Sequence, residues 1–246
     1  MIKTKFIFLF AIWLGIMPGL MAQPSEKLGT DTKRSQLWKP ERGQYYFSHK
    51  LVFDFEQKME GQKGTVEVYL DPKTGTLGFV KSSSFGGTAP EFDFILAFPN
   101  GTYVSCGVDE GGKKYRVKQL VEEVTPDTET AQQKKADFEA FCTPSGSNRL
   151  VYGWPSEEYV RAYPRSETTD QLWLATTPFK IAQLYGFELM EGTASLPISF
   201  DFIDLLGSNQ LLTSYESKEV VIRLREMVAH PLTLQTTPYR ELKLAD

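Results

Sequence analysis

The sequence predicts a mainly β (α+β) fold, a curved antiparallel sheet or half-barrel with a few short helices packed on its concave face. Three observations predict it. Residues 45–58 (YYFSHKLVFDFEQK) alternate, with Phe47, His49, Leu51, Phe53 and Phe55 on one parity and Tyr46, Ser48, Lys50, Val52, Asp54 and Glu56 on the other. Successive side chains of a strand point to opposite faces, so this stretch has one aromatic-rich face and one mostly polar face. Turn sequences recur at short intervals, and tight turns join only antiparallel neighbours. Aromatic residues make up 13% of the chain, enough for a substantial core or for an apolar cavity.

Residues 1–22 stand apart from this domain. Lys3 and Lys5 precede a continuous apolar run over residues 6–17, Pro18-Gly19 breaks it, and Ala22 offers a small residue before Gln23. That order is a secretory signal peptide. An uncleaved anchor is the alternative, and the apolar run is short of the about 20 residues that a full span needs. Removing the segment takes the formal charge from −4 to −6. An acidic chain without clustered basic residues lacks the footprint of a nucleic-acid binder, so no nucleic-acid partner is expected.

The elements follow in order. Residues 23–42 read as a polar linker with a short helix near Asp31–Leu37, capped by Asp31 and stopped by Pro40. Residues 43–246 read as a single β-rich domain. Its first strand is 45–58, and Glu60–Gly64 turns it into Thr65–Leu70. Asp71-Pro72-Lys73-Thr74-Gly75 turns that into Leu77–Lys81, since Pro presets φ and Gly takes the left-handed position. Ser82–Pro90 is a Ser- and Gly-rich loop. Phe92–Phe98, Thr102–Val108 and Lys113–Val121 complete a six-strand meander.

Thr125–Phe141 breaks the pattern as an exposed helix or crossover, and Thr143–Asn148 reads as a boundary between two halves of one sheet. Leu150–Tyr152, Glu158–Tyr163 and Asp170–Ala175 resume the strands. Phe179–Tyr185 has helical spacing, and Leu196–Leu206 reads as a second short helix. Leu211–Glu216 and Glu219–Glu226 form a last hairpin, and Pro231–Leu244 is a tail with room for an edge strand.

No stretch carries a catalytic motif. Gly86-Gly87 and Gly111-Gly112 sit between strands and lack the Lys-Ser/Thr spacing of a phosphate loop. No G-x-S-x-G elbow occurs, and the whole chain holds only His49 and His230 as imidazole bases. No carboxylate run has calcium-loop spacing. The sequence therefore predicts no cofactor, no metal and no enzyme activity. Cys106 and Cys142 are a possible disulfide in an oxidising compartment; two separately buried thiols are the alternative.

The aromatic stripe is the remaining candidate site. Phe47, His49, Leu51, Phe53, Phe55, Phe79, Phe94, Leu96, Trp173, Phe179, Phe200 and Phe202 either pack a core or line a cavity for an acyl chain or other apolar ligand. Together with VEVYLDPKTG, FPNGTYVSCGVDEGGKKY and the later EEYVRAY and DQLWLATTPF segments, the 45–58 pattern resembles the half-barrel of the LolA-like superfamily of periplasmic lipoprotein carriers and the secreted bacterial domains of that shape. The resemblance spans most of residues 45–226. It implies a non-catalytic binding or carrier module whose partner is a lipid or lipoprotein acyl chain. The alternative is an envelope structural or protein-interaction domain with a filled core. Either is expected in the periplasm or secreted from a Gram-negative bacterium, with no transmembrane segment after signal cleavage.

Overall fold

The alternating segments pair into one open, curved sheet of twelve strands. The computed structural model describes residues 32–81, 92–163, 168–186 and 205–242. The expected signal peptide, the Ser82–Pro90 loop, and most of the expected Leu196–Leu206 helix with Phe200 and Phe202 lie outside the described residues.

A short helix, α1 (Thr32–Leu37), leads into β1 (Gln44–Gln57), β2 (Gln62–Leu70), β3 (Leu77–Val80), β4 (Phe92–Ala97), β5 (Thr102–Val108) and β6 (Lys114–Leu120). These six pair consecutively and antiparallel, as a meander. After helix α2 (Thr128–Phe141) a second meander follows: β7 (Cys142–Val151), β8 (Trp154–Ala162), β9 (Thr169–Thr176), β10 (Gln210–Glu216) and β11 (Val220–Gln235). The two meanders join where β11 pairs antiparallel with β1. The tail adds β12 (Arg240–Leu242), an edge strand parallel to β6.

This order, β12-β6-β5-β4-β3-β2-β1-β11-β10-β9-β8-β7, puts β6 and β7 near opposite edges although only one crossover joins them. Ten inter-strand spacings span roughly 48 Å in a flat sheet. A helix the length of α2 covers only about 21 Å. Curvature brings the edges within reach of the connection, and α2 lies across the hollow side with Phe138 in the core cluster there. Asp127 caps α2 by accepting a hydrogen bond from the Thr130 amide at 2.7 Å.

Two apolar clusters occupy the sheet. The larger contains Leu51, Phe53 and Phe55 of β1 with Val66, Val68, Leu77, Phe79, Ile95, Leu172, Leu211 and Ile222. The second contains Phe47, Tyr69, Phe94, Leu96, Cys106 and Tyr239. Along β2 to β5 the two sets alternate in sequence, as residues on opposite faces do. Phe47 and Leu51 share a parity yet fall in different clusters. The β1–β11 register slips between Phe47 and His49, and a one-residue irregularity exchanges the faces that a given parity supplies. The single aromatic face expected along β1 is therefore divided between the clusters.

Aromatic rings also cover glycines across the sheet. A Cβ at Gly64 would lie 2.3 Å from the Phe55 ring, and one at Gly78 would lie 3.0 Å from Phe47. At Gly64 only a glycine leaves room for the ring, and at Gly78 a side chain would press the Phe47 ring to shift.

Two buried carboxylates tie elements together. Asp71, fully buried, accepts from Arg34 Nε and Nη2 at 2.7 and 2.6 Å and from Thr74 Oγ1 at 2.6 Å. That fork docks α1 on the β2–β3 turn. Asp170 accepts the hydroxyl protons of Tyr163 at 2.5 Å and Tyr215 at 2.6 Å, fastening β9 to β10.

Several local expectations differ from the structure: β8 begins at Trp154 rather than Glu158, and β11 runs on to Gln235 through part of the expected tail. Thr143–Asn148, expected as a boundary, lies within β7, where the pairing with β8 is interrupted between Pro144 and Asn148. Phe179–Tyr185, expected as a helix, holds a single 3-10 turn at Ala182–Leu184, because Phe179, Ile181 and Tyr185 are all drawn into the larger cluster.

Candidate functional site

The sequence candidates do not form one open surface. Leu51, Phe53, Phe55, Phe79 and Phe179 are packed into the larger cluster, and Phe47, Phe94 and Leu96 into the second. Phe47, Leu51 and Leu96 are 0% exposed. Trp173 is half-buried on β9, its ring covered by the Arg149 guanidinium 3.9 Å away. His49 is half-buried, with Ser48 Oγ 2.7 Å from its Nδ1. Cys106 and Cys142 are two separately buried free thiols in different clusters, the second of the two arrangements open at the level of sequence.

A cleft of about 760 Å³ opens elsewhere, between α2 and the segments that flank β10. This volume falls in the range of small-molecule sites. One wall is α2, whose Ala131, Lys134, Lys135, Phe138 and Glu139 follow a helical i, i+3, i+4, i+7, i+8 stripe and so share one face. Phe138 meets Tyr159 of β8 edge-on, ring centroids 5.2 Å apart. Val124, Cys142 and Tyr159 line the cleft between its walls.

The opposite wall is the 180–182 stretch with residues 205–210. A chain of hydrogen bonds fixes it. Gln183 Nε2 donates to the Gly75 carbonyl at 2.6 Å and Tyr103 Oη donates to the Gln183 carbonyl at 2.7 Å. Gly75 has φ +78°, and a Cβ there would lie 2.5 Å from the Lys180 carbonyl, so the β2–β3 turn requires glycine to meet this wall. Tyr185 Oη donates to the Gln210 carbonyl at 2.9 Å and accepts from the Leu212 amide at 2.8 Å. The amides of Ile181 and Ala182 both donate to the Ser208 carbonyl.

The chemistry of this lining favours binding. Burial pushes the Cys142 thiol up to about 11 and the Tyr159 phenol up to about 12, so both are protonated and weakly nucleophilic near neutral pH. Tyr159 donates its proton to Glu157 at 2.7 Å. Among the described residues no group of three or more His, Cys, Asp or Glu is placed to hold a metal, and no helix is long and apolar enough to cross a membrane. None of the ten described sequence candidates lines the cleft. Of the expected features, the Thr125–Phe141 helix supplies one wall and Cys142 lies in the lining.

No protein-family model and no curated protein matches the chain. Among solved structures it is similar to PNGF-II in two crystal forms, C2 and P21. The TM-score is 0.39 for each, with 8% and 7% sequence identity, over 80% of this chain and 31% of the PNGF-II chain. The chain thus spans about a third of that protein, and a likeness at this level carries no argument about fold or function.

Proposed function

We propose that this protein is an exported, non-catalytic binding module that takes a lipid, acyl chain or other apolar small molecule in the α2 cleft. The observation that carries the reading is the cleft itself, with its ligand-sized volume and Val124, Phe138, Ala182, Leu205 and Leu206 in its lining. The segment order of residues 1–22 supports export. Native mass spectrometry of gently extracted protein, with titration of a fluorescent fatty acid, tests the proposal. Ala131 is exposed on the cleft-facing stripe of α2. Ala131→Trp is expected to abolish probe binding while leaving the fold intact. Equal probe affinity in the variant, or no binding to the wild type, contradicts it.

A second reading is an envelope structural or protein-interaction domain. The packed aromatic face of β1 favours it, since that face has no need of a ligand to fill it. Pull-down from an envelope extract that recovers a stoichiometric protein partner, with no lipid co-purifying, would select it.

A further inference from the structure

We infer that the cleft selects an apolar ligand carrying an anionic head group, a carboxylate or a phosphate, held by lysines from both walls. This rests on the proposed binding function and names the ligand class of the same site.

A helix face turned toward its own protein is ordinarily apolar. The cleft-facing stripe of α2 departs from that rule, because Lys134 and Lys135 stand between Ala131 and Phe138. Lys180 lines the opposite wall. Five charged side chains line the cleft, three lysines against Glu123 and Glu139, in a chain whose formal net charge is −4. The local balance is thus reversed from that of the whole molecule.

The existing partners leave this charge largely unspent. Lys135 faces Glu139 at 3.7 Å, with both side chains more than half exposed, an i, i+4 pair of a weak kind. Among the described residues, Lys134, half-buried, reaches only the Glu123 carbonyl at 3.5 Å. Nothing among the described residues forms an ion pair with Lys180. Lys134 is half-buried and Lys180 exposed, so both ammonium groups are available to an anionic head group beside an apolar lining that includes Phe138, Val124 and Leu206. A single-chain amphiphile meets both demands, its tail against Phe138 and Leu206 and its head between Lys134 and Lys180.

The test uses three ligands with one 18-carbon monounsaturated chain: oleate, lysophosphatidate and the uncharged monoolein. Each is titrated below its aggregation concentration into the wild-type protein, Lys180→Gln, and the double variant Lys134→Gln/Lys180→Gln, all of whose altered side chains border solvent. The wild type is expected to bind one or both anions about ten-fold more tightly than monoolein, in line with two partly exposed ion pairs. The double variant is expected to lose that preference with its monoolein affinity unchanged. Tighter oleate points to a fatty acid, and tighter lysophosphatidate to a phospholipid. Equal affinity for all three overturns the head-group inference and leaves the binding module standing. No binding of any of the three overturns both.

Discussion

The β1 wall and the α2 cleft are built from opposite materials. Along β1 the large side chains interlock with both neighbouring strands and leave residues such as Phe47 and Leu51 with no exposure. Around α2 the walls come from a helix, a 3-10 turn and a turn at 207–210, and polar side chains share the lining with apolar ones. The difference teaches where this architecture makes room. A sheet that pairs without interruption packs its side chains as densely as any core. An opening arises where the chain leaves the sheet and a crossover cannot follow its curvature closely.

The largest expected effect tests the density of the wall. Phe47→Ala removes a fully buried ring that also covers Gly78, and is expected to cost about 3–5 kcal/mol in a denaturant titration. Fatty-acid binding per folded molecule is expected to be unchanged. A cost under about 1 kcal/mol would show that the wall has slack, and the contrast with the cleft would fail.

Arg34→Ala ranks next. It leaves the Asp71 carboxylate buried without its fork, and removing one partner of such a pair costs about 3–5 kcal/mol. Because Arg34 is 13% exposed, the lower end is expected. The same turn meets the cleft wall through Gly75 and Gln183, so probe affinity should fall together with stability. Loss of stability with affinity intact would uncouple the turn from the cleft.

The last test is a pH dependence. Burial raises the Cys142 thiol to about 11 and the Cys106 thiol to about 12, from an ordinary value near 9. A thiol raised on folding contributes stability fully below its unfolded value and loses it as pH rises through the folded one. Stability is therefore expected to decline from pH 9 toward pH 12, less so in Cys106→Ala/Cys142→Ala. Alkylation of the native protein at pH 8 is expected to be slow at both thiols and fast after denaturation. Rapid native labelling of Cys142 would show that the cleft opens to its base.

Most of the sheet was legible in the sequence because its strands bury one face and its turns announce themselves. β1, β4, β5 and β10 fall within one or two residues of the expected segments, whereas β11 runs on to Gln235, nine residues past its expected end. β7 was not legible, since an edge strand with nearly every residue exposed has no alternation to read. The division of the β1 aromatics was hidden as well, because parity predicts faces only while the register holds. The cleft was hidden for a different reason. Its lining is drawn from residues 123–144, 159, 176–182 and 205–210, which only the crossover from β6 to β7 and the return of β10 bring together.

The most direct test is a crystal structure of the protein soaked with a fatty acid brominated near the end of its chain. The account predicts anomalous bromine density in the cleft, beside Phe138 and Leu206. Bromine against Phe53 and Phe55 on the β1 wall, or none at any saturating concentration, would contradict it.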